Sequence, residues 1–212
     1  MHDISSIRKE YKLQSLNEQE VDADPVVQFR SWWTEAIDSK IEEVNAMTLA
    51  TADESGKPSA RIVLLKGFDG NGFTFFTNYT SHKAKDLETN PYASLVFFWK
   101  ELERQIRIVG SVEKLTAEEN NNYFQSRPVG SRLGAWASPQ TTVIESREII
   151  EQRVSELQAQ FSEGEIPCPP FWGGYVVKPT IIEFWQGRPS RLHDRIQYSL
   201  NKNSWIIERL AP

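Results

Sequence analysis

The sequence is poor in the residues that build covalent and metal-dependent chemistry. It holds one cysteine in 212 residues, Cys168, so no disulfide can close within the chain, which fits a reducing compartment. That cysteine lies in Pro167-Cys168-Pro169-Pro170 with no base or cation beside it in sequence, so it reads as a packing residue and not as a reactive thiol. The three histidines, His2, His82 and His193, are dispersed, and there is no HExxH, no CxxC, no GxGxxG after a strand and no GxxxxGK[ST]. Neither a metal site nor a nucleotide-binding loop of those types is expected.

No apolar run approaches the ~20 residues that a membrane helix needs. Stretches such as Ser94 to Trp99 are far shorter, and the first twenty residues are polar throughout, without the apolar segment of a signal peptide. Positive charge is also in short supply: Lys plus Arg is 24 against 29 for Asp plus Glu, a net charge of −5. That balance argues against a general nucleic-acid binder and leaves room only for a local basic pocket. The expectation is a soluble, cytoplasmic protein with no membrane and no nucleic-acid partner.

Hydrophobic residues make up 39% and charged residues 25%, which supports one large core and argues against disorder. Residues 1–22 read as an exposed, mobile arm and 23–212 as a single domain. Asp24-Pro25 is an N-cap followed by proline at the first helical position. Val26, Val27, Phe29, Trp33, Ala36 and Ile37 then recur at helical spacing, predicting a helix to about Val44. From Ala46 the pattern turns short and β-rich. Strands are expected over 46–52, 59–68 and 73–77, the last two joined by the hairpin signal Asp69-Gly70-Asn71-Gly72. A helix over 81–90 ends at Asn90-Pro91, and strands follow over 92–100 and 105–115. Thr116-Ala117-Glu118-Glu119 is a capping box opening a helix to about Ser126, and another helix spans 146–161. Strands close the chain over 174–177, 180–185, 191–200 and 204–210. Many short strands with few helices between them predict a mainly β fold, an antiparallel barrel with flanking helices.

The chemistry that remains lies in cations and hydroxyls set in these β-rich segments. Arg61 and Lys66 bracket the apolar run RIVLLK, and their odd separation sends them to opposite faces unless a bulge intervenes. Lys83 and Lys85 open a helix, where backbone N–H groups also favour anions. Tyr123, Arg127 and Ser131 stand four apart, but Pro128 ends the helix, so Ser131 is expected on a loop. Such groups converge well on a phosphate. Any one of them alone reads as a solvated surface charge, yet several in apolar strands call for a partner. Arg191, His193 and Arg195 would share one face of a strand, where they repel unless something anionic lies between them. Trp172 and Trp185, taken alone, are more often core than cofactor platform. The residues support binding of phosphorylated small molecules and nothing finer.

Segments in order along the chain carry a more specific likeness: RIVLLK (61–66), ERQIRI (103–108), YFQSRP (123–128), FWGGY (171–175), EFWQG (183–187), RLHDR (191–195) and the terminal ERLAP. Through them the chain, from about Arg8 to Pro212, resembles the pyridoxamine 5′-phosphate oxidase (pyridoxine 5′-phosphate oxidase) family, with EFWQG followed by RLHDR the strongest pair. The resemblance implies a split β-barrel that binds FMN and works as a homodimer with FMN at the subunit interface. It implies oxidation of pyridoxine 5′-phosphate or pyridoxamine 5′-phosphate to pyridoxal 5′-phosphate by O2, releasing H2O2 and, from the amine, ammonia. That reaction serves vitamin B6 cofactor biosynthesis and salvage.

Carried over by position, Arg61, Ile62, Val63, Leu64, Leu65 and Lys66 would line FMN together with Phe76, Thr77, His82, Lys83, Gln105, Gln140, Thr141, Trp185 and Arg195. Lys66, Tyr123, Arg127 and Ser131 would hold the substrate phosphate. Arg191, Leu192 and His193 would sit by the pyridine ring, with Arg191 and His193 as the catalytic pair, and Arg8 and Tyr11 would close over the substrate from the arm. The chain departs from the family pattern at His82, where arginine is usual, and at Thr141, where serine is common. Two competing readings use the same barrel: a non-catalytic flavin-binding module, and a flavin reductase with a nicotinamide donor. Neither has a use for Tyr123, Arg127, Ser131, Arg191 and His193 together.

Overall fold

A computed structural model of the chain describes residues 4–6, 9–162 and 164–212. Asp24 caps the first helix, α1 (Pro25–Asp38), by accepting the Val26 N–H at 2.7 Å, and Pro25 takes the first helical position. The apolar face of α1 carries Phe29, fully buried, with its ring 4.8, 4.9 and 5.4 Å from those of Phe68, Phe73 and Phe97. The helix stops at Asp38, short of the expected Val44. Lys40 and Glu43 beyond it adopt φ of 54° and 46°, left-handed values that a right-handed helix cannot contain.

The chain continues through β1 (Ala46–Ala52), β2 (Pro58–Leu64), β3 (Gly67–Asp69), β4 (Gly72–Asn78), α2 (His82–Thr89), β5 (Tyr92–Trp99) and β6 (Arg104–Lys114). Three helices follow, α3 (Ala117–Ser126), α4 (Val129–Ala137) and α5 (Glu148–Gln160), and then β7 (Trp172–Gln186), β8 (Asp194–Asn201) and β9 (Ser204–Arg209). The expected mainly β architecture forms. Each strand pairing among the described residues is antiparallel, in the order β2-β1-β5-β6-β7-β4-β3, with β8 on β7 and β9 on β8. Contact between β2 and β4 curls the sheet into a partial barrel. Alternate residues face inward, as with Leu95 and Phe97 of β5 and Ile106 and Ile108 of β6, all fully buried with Phe29.

Three departures from the sequence reading matter for the site. First, the strand expected over 59–68 breaks after Leu64. Leu65 turns into the core, and Lys66 donates its N–H to the Thr74 carbonyl at 2.8 Å. Second, α4 was not expected. Pro128 ends α3 yet serves as the N-cap of α4, because a missing N–H costs nothing ahead of a first turn. Helices α3, α4 and α5 then enclose a second core of Phe124, Leu133, Ala137, Leu157 and Trp172. Third, β8 begins at Asp194 and not at Arg191. Residues Pro189–Arg191 form a 3-10 turn with Ser190 and Arg191 at φ of 57° and 60°.

Strand β7 is continuous where two strands were expected. Pro179 is tolerated inside it because the register with β6 slips between Val109 and Gly110, a β-bulge. Beyond that bulge β7 changes partners: Trp172–Val177 pair with β4, and Ile181–Gln186 with β8. The N-terminal segment expected to be exposed is partly built onto the barrel. Leu16 is buried in the main core, its N–H donates to Asp194 at 3.1 Å, and the Tyr198 hydroxyl donates to the Asp22 carbonyl at 2.7 Å. Arg8, and the closing role expected of it, lies outside the described residues. No helix among the described residues is long and apolar enough to cross a membrane.

Candidate active site

A cavity of about 680 Å³ opens among β2, β4, α2, α3 and α4. Arg61, Ile62, Val63, Leu64 and Lys66 line it from β2 and the turn that follows, Phe76 and Thr77 from β4, and Lys83 from α2. Tyr123 and Arg127 from the end of α3, Ser131 from α4 and Gln140 complete the expected set on its walls. The break at Leu65 brings Arg61 and Lys66 to one cavity although simple alternation separates them. Leu65 itself packs in the core and is not on the wall, and Ser131 arrives on a helix instead of the expected loop.

The Lys83 ammonium is the clearest electrostatic feature. The residue is 7% exposed, and its Nζ bonds only neutral oxygens: Gln140 Oε1 at 2.8 Å, Thr77 Oγ1 at 3.1 Å and Ser81 Oγ at 3.3 Å. Burial, with the Arg61 charge adding to it, pulls its pKa down to about 8. A buried cation with no carboxylate partner among the described residues is costly on its own and suited to an anion. Arg61 beside it donates to Thr51 Oγ1 at 2.8 Å and to Ser59 Oγ, and both hydroxyls donate onward to buried Asp86, at 2.6 and 2.8 Å. Asp86 was missed by sequence reasoning, because nothing in α2 marks it out from solvent-facing acids. His82 is largely exposed and off the cavity wall. Its Nδ1 lies 3.6 Å from Asp86, and its backbone N–H donates to Thr141 Oγ1 at 2.9 Å, which ties the 138–142 loop to α2.

Across the cavity, Arg127 Nη1 is buried with no hydrogen-bond partner among the described residues. The guanidinium lies 4.7 Å from the Trp172 ring, and Trp172 and Tyr123 stack on Phe76 at 5.3 and 3.9 Å. Trp172 therefore serves as core and as cavity wall at once. An orphaned donor held on an aromatic face is poised for an acceptor supplied from outside the chain.

The remaining expected residues form a second group. Gln105, Trp185 and Arg195 stand directly opposite one another on β6, β7 and β8, while their neighbours Ile106, Phe184 and Ile196 face inward, fully buried. Arg195 donates to Glu183 at 2.7 Å, and this hydrogen bond raises its pKa. His193 lies in the loop before β8, its ring 4.5 Å from Trp185, with the Tyr11 ring 5.7 Å from Trp185 and 5.9 Å from His193. Its Nδ1 faces the Arg188 N–H at 3.1 Å and must accept, so the ring proton sits on Nε2. Burial, and next the Arg191 charge, lower its pKa. Arg191, His193 and Arg195 thus do not share a strand face: the first is in the 3-10 turn, the second in the loop. Their expected repulsion is relieved by a neutral imidazole and by Glu183. Leu192 is exposed. Trp172 and Trp185 mark the two groups at opposite ends of β7, roughly 40 Å apart along the strand at ~3.3 Å per residue.

The chain is similar to known proteins along nearly its whole length. The family model described as pyridoxamine 5′-phosphate oxidase matches residues 33–161, and that described as the pyridoxine 5′-phosphate oxidase C-terminal dimerisation region matches 172–212. A pyridoxine/pyridoxamine 5′-phosphate oxidase of Cyanothece sp. is 56% identical, covering 99% of this chain and 98% of the relative. The enzyme of the same name from Salinibacter ruber is 54% identical over the whole of both chains. Among solved structures, PhzG from Burkholderia lata in complex with tetrahydrophenazine-1-carboxylic acid superposes with a TM-score of 0.89 at 30% identity, covering 94% of this chain and 99% of that one. An FMN-binding protein of Nostoc punctiforme shares the fold, with a TM-score of 0.70 at 18% identity over 87% of this chain and 97% of its own. With its sequence matched by family models and by relatives over nearly its full length, the chain belongs to the pyridoxamine 5′-phosphate oxidase family.

Proposed function

We propose that this chain is an FMN-dependent oxidase that converts pyridoxine 5′-phosphate or pyridoxamine 5′-phosphate to pyridoxal 5′-phosphate, the activity for which relatives at 54–56% identity are named. One observation carries the reading within the structure. A single cavity holds cations with no carboxylate partner among the described residues: Lys83 on one wall, Arg127 on another and Lys66 in the turn after β2. Cofactor and substrate each bring a phosphate, and these unpaired cations suit that pair of ligands.

The residues fit FMN. Arg61 and Lys83 would hold its phosphate, with Thr77 and Gln140 fixing Lys83 and the Asp86 hydroxyl pair fixing Arg61. When bound, FMN supplies the two-electron acceptor for the substrate C4′ carbon, with dioxygen as final oxidant giving hydrogen peroxide. Arg127, Tyr123, Ser131 and Lys66 hold the substrate phosphate, the first through its free Nη1. His193, neutral and protonated on Nε2, donates a hydrogen bond to a substrate oxygen without adding a cation, while Arg191 beside it contributes the charge. The Gln105–Trp185–Arg195 row faces outward, and Trp185 and Arg195 belong to the segment matched as a dimerisation region. In a homodimer, each copy would bring its row to the cavity of the other and complete an FMN site at the interface. With Cys168 the sole thiol, the proposed compartment is the cytoplasm.

The test is direct. FMN-loaded protein is incubated in air with pyridoxine 5′-phosphate, and pyridoxal 5′-phosphate and peroxide are measured together. Equal amounts of both are expected. Protein that holds FMN yet forms no pyridoxal 5′-phosphate from either substrate would overturn the assignment.

A further inference from the structure

We propose that Glu103 is a positioning residue that seats the N-terminal segment so that Tyr11 lies against Trp185 and His193, an inference that rests on the function proposed above. Glu103 sits in the turn between β5 and β6 at φ 55° and is 3% exposed. Its Oε2 accepts the backbone N–H groups of Lys12 at 2.7 Å and Leu13 at 3.1 Å, and its Oε1 lies 3.3 Å from the Lys9 ammonium. Its own carbonyl accepts the Gly187 N–H at 2.7 Å. One residue therefore fixes two segments distant in sequence, the arm through its side chain and the end of β7 through its main chain.

Those segments meet at Gly187. A Cβ there would lie 2.7 Å from Tyr11 Cγ, so the ring rests against the bare glycine. From that seat Tyr11 reaches its edge-on contact with Trp185 and its contact with His193. Burial works against the Glu103 charge, but the N–H groups of Leu13 and Lys12 and the Lys9 cation outweigh it and hold the pKa below the usual carboxylate value. Bonds from two backbone donors to an anion are the strong kind. A glutamine at this position keeps the shape but offers one oxygen in place of two and turns an amide NH2 toward donors.

The experiment uses the full-length, FMN-loaded protein. Glu103→Gln is expected to raise the KM for pyridoxine 5′-phosphate about tenfold, a loss of ~1.4 kcal/mol, with kcat changed less than about twofold and FMN content unchanged. In a Tyr11→Ala background the same substitution should have no further effect on KM, because its action runs through Tyr11. Effects that multiply would overturn the proposal. Lys12→Pro deletes one N–H from the arm side without touching the barrel and should also raise KM; an unchanged KM would count against the seat. A readout independent of turnover is trypsin cleavage after Lys9 and Lys12, followed by mass spectrometry without substrate. It should be about tenfold faster in Glu103→Gln at unchanged melting temperature, and equal cleavage rates overturn the seat even if the oxidase assignment itself fails.

Discussion

Lys83→Met should make the FMN-free protein more stable while weakening FMN binding. Methionine keeps the length of the side chain and removes the charge. The ordinary lysine pKa of 10.5 falls to about 8 in the folded chain, chiefly through burial. A shift of that size corresponds to ~3 kcal/mol of native-state destabilisation at neutral pH. For a domain of this size the variant should melt about 5–10 °C higher at pH 7. The sign with pH follows from proton binding. Between pH 8 and 10.5 the unfolded chain keeps the Lys83 proton and the folded chain has lost it, so stability of the natural protein rises with pH across that window. Below pH 8 both states are protonated and the penalty is complete. The variant lacks this rise, and the difference between the two melting curves isolates it from other groups. Binding runs the other way. A phosphate dianion restores the proton to Lys83, so FMN affinity of the natural protein should fall as pH rises through about 8. The variant should lose a charge-assisted bond of ~1.5–3 kcal/mol, roughly ten- to a hundredfold in Kd. Calorimetric melting of the apo forms and flavin fluorescence titration from pH 7 to 9.5 measure both quantities. An apo variant that melts lower, together with unchanged FMN affinity, would refute the reasoning.

Arg127→Ala should raise the KM for pyridoxine 5′-phosphate ten- to a hundredfold, from loss of about 1.5–3 kcal/mol of charge-assisted bonding, at constant FMN content; steady-state kinetics beside flavin absorbance check both. Arg191→Leu and His193→Leu should each depress turnover with the flavin retained, and loss of yellow colour on purification would count against a substrate-side role. Gly110→Ala should destabilise the barrel by about 1–3 kcal/mol or more, because the new Cβ would sit 2.0 Å from the Lys178 carbonyl oxygen at the bulge; a denaturant midpoint equal to that of the natural protein would contradict it.

The elements legible in the sequence are those whose cause is local. The Asp24-Pro25 start of α1, the Thr116–Glu119 capping box and the Asp69–Gly72 hairpin are set by hydrogen bonds spanning a few residues, and each forms where the sequence places it. The misread elements have distant causes. Pro179 looks like a strand break until β6 offers a bulge opposite it. Pro128 looks like a helix end, and it is one, but the second core beneath Leu133 and Ala137 rewards an immediate restart as α4. Arg191 and His193 look like strand residues until Ser190 and Arg191 turn left-handed.

The site follows the same rule, with electrostatic pairing as the distant cause. In sequence Arg104, Arg107, Arg195, Arg61 and Lys83 are all basic residues in or beside apolar segments. In the fold, Arg104 pairs with Glu35, 69 residues away, and Arg107 with Glu183, 76 away. Arg195 shares that same Glu183, which is 2% exposed, from the neighbouring strand. Arg104 is neutralised by Glu35, while Arg107 and Arg195 share one carboxylate, so Arg195 offers a fixed donor geometry and only part of its charge. Lys83 and Arg127 have no carboxylate partner among the described residues, and Arg61 reaches Asp86 only at 4.0 Å and through two hydroxyls. The pull on anionic groups is therefore concentrated at the cavity formed by β2, β4 and the α3–α4 turn, while the Gln105–Trp185–Arg195 row supplies shape and an aromatic surface. A dimer that joins the two brings the unpaired cations of one half to a row whose arginine is already carboxylate-bound. It follows that the pull on anionic groups comes through Lys83, Arg61 and Arg127 far more than through Arg195, a division of labour that residue types alone conceal.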